Sequence, residues 1–349
     1  MIRTPSPGGP LPDSNAAAWP WVRARLSGLR PGARPGTRRA AGSAEVRTAV
    51  VTDSAAALPA DYAGRLPRDG ILTVTPMPVM VGREIYGEGE DDILETIAVA
   101  LASGTQVKTS RPSPGQFEQA YRAAELRGFQ AVVSVHISGE LSGTADAARL
   151  AAAKVGIPVE VVDTRTVGMA QGMAVQAAVE AAAAGADHAG VAAAAAAQAA
   201  RTKVFFYVPS LEQLRRGGRI GAAASLLGTM FAIKPILAVD GGRIVPLEKV
   251  RSGARAVARL EEIVVAEAAA RPGEAVRLAV HHFGNSEEAE SLAARLEAAL
   301  PECPPAQISS LPAVLAAHAG LGVLAVIVGR TAADGGTDGG PGAEAHLST

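Results

Sequence analysis

The sequence predicts an α/β chain of two domains, a parallel-sheet three-layer α/β domain followed by a mixed-sheet α/β domain. Three observations carry that prediction. In the first half, short β-branched or apolar runs alternate with Ala-rich stretches of helical length, the mark of a parallel sheet with crossover helices. After about residue 200 the spacing changes, and Asp240-Gly241-Gly242 between two apolar runs signals an antiparallel hairpin. A chain of 349 residues, 48% of them hydrophobic, can fill two such cores. Aromatics are only 3%, so both cores must be aliphatic, and Ala runs such as 192–197 read as filler on packed helices.

Taken in order, residues 1–46 are rich in Pro, Gly, Ser and Arg without hydrophobic periodicity, and cannot bury enough apolar surface to offset ordering entropy. They read as a disordered tail. Its Arg-rich, acid-poor composition resembles some targeting peptides but has no uninterrupted apolar core, so a flexible tail or an early start codon is the better account. Residues 1–47 hold eight Arg against Asp13 and Glu45, a net +6, while the remainder holds 25 basic and 32 acidic residues, a net −7. An acidic body argues against nucleic-acid binding, which draws its affinity from clustered Lys and Arg.

The first domain, 47–190, places strands at 48–51, 131–135 and 159–162 and helices at 116–126, 145–155 and 172–184. Ligands sit beyond the carboxyl ends of parallel strands, which puts 52–54, 138–144 and 163–166 on one functional rim. HISGELSGT (136–144) is the richest part of it. An apolar run leading through hydroxyls and glycines into a helix makes an anion site of the helix N-terminus, to which Ser138, Ser142 and Thr144 add hydroxyls.

The second domain, 191–330, places strands at 204–208, 236–239, 244–250, 278–281 and 322–328 and helices at 210–215, 253–270 and 286–300, with the helices on one face. Residues 311–328 lack Asp, Glu, Lys and Arg over a nearly membrane-spanning length, but Pro312, His318, Gly320 and Gly322 interrupt a helix there. A buried strand preceded by a glycine turn is expected instead. Residues 331–349 form a second, Gly-rich tail. The lone Cys303 excludes an intrachain disulfide and suits a reducing cytosol, and His281-His282 have no Asp or Glu constellation to make a metal site. No cofactor is implied. Two domains sharing a rim form a cleft, a common place for a ligand.

The loop motifs, in order, are VVTDSAAALP (50–59), VTPMPVMVGREIYGEGED (74–91), VKTSRPSPGQF (107–117), VSVHISGELSGT (133–144), VEVVDTRTVGMAQG (159–172), LEQLRRGGRIG (211–221), IKPIL (233–237) with VPLEKVR (245–251), and AHAGLGVLAV (317–326). This series resembles the DegV family, the fatty acid binding subunits of bacterial fatty acid kinase, over 47–328. The resemblance implies a long-chain fatty acid in a tunnel between the domains, its carboxylate held by Thr109, Ser142 and His318, with Arg219 near the head group. It also implies a partner, the fatty acid kinase catalytic subunit, which phosphorylates the bound carboxylate. The chain itself is then a cytoplasmic carrier and not an enzyme, and transient membrane contact is compatible with that work. Three departures bear on the tunnel: Ala145 stands where the family usually has an aromatic, Ala319 and Leu321 where Thr and Pro are frequent, and Arg111 where Gln is common.

Each residue also has a plainer reading. Ser142 can be a helix N-cap, His318 a core histidine, Thr109 a turn residue before Pro112, and Arg219 a brace pairing with Asp or Glu. Asp53-Ser54 reads as a cap, outside the ligand set. Two functional alternatives stand beside the carrier: a carrier of another long apolar acid, and a serine hydrolase using Ser142 with His318 as base. The hydrolase reading lacks a G-x-S-x-G elbow.

Overall fold

The computed structural model describes residues 47–66, 70–87, 93–226, 233–271 and 273–331; apart from Thr331, both expected tails fall outside the described residues. Strand β1 (Thr48–Asp53) pairs with β2 (Leu72–Thr75) and β6 (Ala131–His136), and β6 with β7 (Val159–Asp163), giving a parallel sheet of order β2-β1-β6-β7. The two inner strands, β1 and β6, are buried along their whole length, as strands of a sheet covered on both faces must be. Two helix pairs cover it, α3 (Pro114–Leu126) with α4 (Thr144–Ala152) and α5 (Met169–Ala183) with α6 (His188–Ala200). Helix α6 straddles the expected domain boundary at 190/191 and packs on β6 and β7, so by its contacts it belongs to the first layer.

The second sheet has the order β10-β9-β8-β13-β11-β12, from β8 (Thr202–Tyr207), β9 (Lys234–Asp240), β10 (Arg243–Val250), β11 (Ala275–His282), β12 (Gln307–Ser310) and β13 (Leu324–Thr331). Only the β11–β12 pair is parallel. Side chains alternate across it, with Phe205 and Tyr207 meeting α8 (Gly253–Ala269) and α9 (Ser286–Ala299), while Val204 and Phe206 face the other core. Helix α5 lies between the sheets, since Met169 and Met173 pack in the same cluster as Val204 and Ile327. The described residues cluster as one compact unit.

Three features differ from the sequence expectation. A small antiparallel sheet, β3 (Val79–Val81), β4 (Glu84–Tyr86) and β5 (Val107–Thr109), was not expected, because strands of three residues among Pro and Gly carry no periodicity. It matters because β5 ends on Thr109. The stretch 311–328 is not a turn and strand only: Pro312 precedes a seven-residue helix, α10 (Ala313–Ala319), and Gly320, at φ 82°, ends it. Pro before the first turn and Gly after the last are start and stop signals, so the residues read as interruptions in fact delimit a short helix. No helix among the described residues is long and apolar enough to cross a membrane.

The expected hairpin is present, with Gly241 and Gly242 at φ 55° and 87° in the two-residue turn between β9 and β10. Its tip reaches the first layer: Ser138 Oγ donates to Gly242 O at 2.8 Å, Arg165 donates to Gly241 O, and Arg243 Nε donates to Glu140 Oε2 at 2.9 Å. Ser138 is thereby committed to holding the hairpin.

Candidate functional site

Between the layers lies a cavity of about 250 Å³. Most of its wall is aliphatic, including Met77, Ile137, Val204, Val239 and Ile327, and the polar groups gather at Thr109, Arg111, Ser142, Arg219 and His318. All four sequence-assigned residues therefore line one cavity. Each arrives from a different element: Thr109 from the end of β5, Ser142 from the loop after β6, His318 from α10, and Arg219 from the loop after α7 (Glu212–Arg216).

Thr109 Oγ1 and His318 Nε2 are hydrogen-bonded at 2.7 Å. Burial, and secondarily the Arg219 charge, push the His318 pKa down to about 4, so near neutral pH the ring is uncharged, with one donor and one acceptor nitrogen. With the proton on Nε2 the imidazole donates to the threonine oxygen, leaving the threonine hydroxyl hydrogen for an anion in the cavity. On its Nδ1 side the ring packs so closely on Gly217 that a Cβ there would collide with it. That glycine is present for space, not for backbone conformation.

Ser142 is not the N-cap; Gly143 is, without a side-chain cap bond, and Ser142 Oγ lies 2.8 Å from Thr144 Oγ1. When the buried Thr144 hydroxyl donates to Ser142 Oγ, the serine hydrogen is free to point into the cavity. Arg219 braces the loops through carbonyls, not carboxylates: Nε donates to Leu141 O at 3.0 Å and Nη1 to Gly217 O at 2.6 Å. Arg111 lies over the start of α4, where a Cβ at Gly143 would be 3.1 Å from its Nη1. The polar end thus brings together two cations, two hydroxyls, a neutral imidazole and a helix N-terminus around apolar space. Such an end suits one carboxylate with a long apolar tail.

Of the departures named above, Arg111 and Ala319 line the cavity, whereas Ala145 and Leu321 do not. His281 also lines it, but its Nε2 accepts from Met169 N at 3.0 Å and its Nδ1 lies 3.0 Å from Ser309 Oγ. It caps α5. Among the described residues no group of three or more His, Cys, Asp or Glu could hold a metal ion.

Asp53 does cap the 3₁₀ turn that follows β1, accepting from Ala55 N at 3.1 Å, but it does more than that. Its carboxylate also accepts from Gln171 Nε2 at 3.1 Å, His136 Nδ1 at 2.8 Å and Ile137 N at 3.2 Å. His136 Nε2 then meets Ser134 Oγ at 2.7 Å, and Ser134 Oγ meets Tyr121 Oη at 2.8 Å. A carboxylate can only accept, so Nδ1 of His136 carries a proton, and with the ring in its neutral form the chain runs Tyr121 to Ser134 to His136 to Asp53; burial pushes the Tyr121 pKa up, which suits a donor. This network anchors the backbone at Ile137, from which the Ser142 loop departs. Sequence reasoning missed it because His136 and Asp53 are 83 positions apart.

A second, polar cleft of about 520 Å³ adjoins the cavity and shares with it only Thr109, Arg219 and His318. Lys108 and Arg216 line the cleft alone. Both lie inside motifs already quoted, VKTSRPS and LRRGGRI, but nothing in one dimension brings those motifs together.

Comparison with known proteins agrees with this architecture. The sequence profile of the DegV family, described as uncharacterised proteins, matches residues 47–330. A DegV domain-containing protein of Streptomyces coelicolor is 45% identical over 280 residues, covering 80% of this chain and 97% of that one. A DegV family protein from Thermus thermophilus, whose structure is described as showing fatty acid binding, superposes with a TM-score of 0.75 at 33% identity, over 82% of this chain and 100% of the other. DegV from Bacillus subtilis, described as a fatty acid binding protein, gives a TM-score of 0.71 at 28% identity over 82% and 100%.

Proposed function

The chain belongs to the DegV family, and on that footing we propose that it carries one long-chain fatty acid in the cavity, tail among the aliphatic walls and carboxylate at Thr109, Ser142 and His318. The observation that carries this reading is the cavity's polarity: one apolar hollow with every hydroxyl, guanidinium and exposed helix N–H at a single end. A tail of about 14 methylenes contributes roughly 11 kcal/mol at about 0.8 per CH₂, against association costs of about 4–15 kcal/mol. The tail supplies affinity and the polar end supplies orientation.

On this reading the chain performs no chemistry. It presents the carboxylate to a separate fatty acid kinase in the cytoplasm and carries the activated acid onward. On this reading the ligand lies between the two layers, with walls from both. The geometry disfavours the hydrolase alternative, because Ser142 Oγ is hydrogen-bonded to Thr144 and His318 Nε2 to Thr109, so nucleophile and base are not paired.

Native mass spectrometry of the purified chain with added palmitate checks the class of ligand; a protein that stays free of lipid at every ratio contradicts it. Ser142→Ala lowers palmitate affinity about tenfold, the loss of one charge-assisted hydrogen bond. Titration against a fluorescent fatty acid measures this, and unchanged affinity removes Ser142 from the head-group set.

A further inference from the structure

The back of the second sheet, away from the cavity, holds a polar group that neither the fold nor the fatty acid reading uses. Tyr207 ends β8 with its ring in the core under α8 and α9 and is only 5% exposed, yet its hydroxyl makes no hydrogen bond among the described residues. Oη reaches the first residue of α8, where a Cβ on Gly253 would stand 3.1 Å from it. Burial, and secondarily the charge of Glu288, push the Tyr207 pKa up, so the hydroxyl keeps its proton and is a donor. Glu288 itself is engaged, its Oε2 accepting from Asn285 Nδ2 at 3.2 Å.

The helix end that Tyr207 points at is rich in donors and poor in anions. Helix α8 is 17 residues long, with Ser252 as N-cap and no acidic residue in its first turn. Ser252 Oγ accepts from Arg255 N at 3.4 Å, which leaves the N–H groups of Gly253 and Ala254 for an outside acceptor where the helix dipole is positive. Arg251 and Arg255 flank this turn; both are exposed, and neither is ion-paired among the described residues. Arg259, one turn further on, is by contrast paired with Glu248 and Glu262. Lys234 adds a cation at the same end of the same sheet face, its Nζ donating to Pro209 O at 2.8 Å. None of Tyr207, Lys234, Arg251, Gly253 and Arg255 lines the cavity or the polar cleft.

We propose that the N-terminus of α8 is a phosphate site: a phosphate group, free or on a small phosphomonoester, accepts from Gly253 N, Ala254 N and Tyr207 Oη between the guanidinium groups of Arg251 and Arg255. Backbone N–H groups at a helix N-terminus suit such an anion, and its several acceptor oxygens and charge of about −1.5 to −2 use a hydroxyl and two arginines as well. Gly253 keeps open the space that a side chain would take from the tyrosine hydroxyl. A buried hydroxyl without an acceptor is unfavourable, and the anion supplies the acceptor. The site stands independently of the fatty acid reading, on the opposite face of the sheet from the Val204 and Phe206 side chains that line the cavity.

The test follows the melting temperature of the full chain titrated with inorganic phosphate at pH 7.5, with chloride at matched ionic strength as the reference, and obtains the phosphate affinity from the rise. The parent chain is stabilised by phosphate beyond chloride. Tyr207→Phe weakens phosphate about tenfold or more, as expected for one charge-assisted hydrogen bond, while its melting temperature in chloride alone stays the same or rises, because the hydroxyl it loses had no partner. Arg251→Gln with Arg255→Gln weakens phosphate at least as much, and both variants bind palmitate within about twofold of the parent chain. A parent chain no more stable in phosphate than in chloride overturns the proposal. So does parental phosphate affinity in either variant, a Tyr207→Phe chain that melts lower in chloride, or a loss of palmitate affinity matching the loss of phosphate. Glycerol 3-phosphate is titrated in parallel: tighter binding than inorganic phosphate assigns the site to an esterified ligand, tighter binding of the ion assigns it to free phosphate, and both outcomes support a phosphate site.

Discussion

Asp53→Ala destabilises the protein by about 3–5 kcal/mol, the cost of removing one member of a buried, charge-assisted network. At about 2–4 °C per kcal/mol for a domain of some 150–250 residues, the melting temperature falls by roughly 10 °C. The size follows from what the side chain holds: Ala55 N, Gln171 Nε2, His136 Nδ1 and Ile137 N all donate to it, and its surroundings admit no water-exposed alternative, since Asp53 and His136 are both fully buried. Asp53→Asn loses less, because one oxygen still accepts while its NH₂ faces a donor. Ile137 lines the cavity and the chain runs from it to Ser142, so the alanine variant also binds palmitate more weakly. Differential scanning calorimetry checks the first part; a drop under about 2 °C shows that the network is not load-sharing in this way.

Acidification destabilises the protein between pH 6.5 and about 4, through His318 and His281. Burial is the leading cause in both, and both rings fall from 6.5 to about 4 in the folded chain. The unfolded chain takes up protons below 6.5 while the folded chain does not, so stability is complete above 6.5, declines as the pH falls toward 4, and is flat in these groups below that. Each histidine contributes about 3 kcal/mol over the whole interval. Denaturant titrations at pH 7, 6, 5 and 4.5 measure the loss, and His318→Gln shows a shallower decline than the parent chain.

The two rings separate on adding ligand. A carboxylate beside His318 favours the imidazolium, so bound palmitate raises that ring's pKa, whereas His281 holds Met169 N with Nε2 and is left where it was. Proton NMR of the two imidazoles with and without palmitate reads this directly. A His318 titration that does not move places the carboxylate elsewhere.

Much of the scaffold is legible in one dimension because its signals are local. The strands β1, β6 and β7 are short apolar runs, and the Gly241-Gly242 turn is a dipeptide whose backbone requirement names it. The exceptions are equally physical. Strands β3 to β5 are too short to show a period, and α10 is a helix whose two limits, Pro312 and Gly320, look like breaks until its seven residues are seen packed against α2 (Ile93–Ala102), α7 and β5.

The candidate site divides the same way. The sequence by itself determined the family, the alternating layers, and the polar residues Thr109, Ser142, Arg219 and His318, because residue types and their spacing within motifs are one-dimensional properties. Only the tertiary structure decided that these residues line one cavity, that Ser138 holds the hairpin tip and not the ligand, and that Asp53 anchors the loop through His136. It alone sets Lys108 and Arg216 on the far side of the Thr109–His318 pair. The reason is distance along the chain: Thr109 and His318 are 209 positions apart, and their 2.7 Å contact exists only where β5 and α10 pack together.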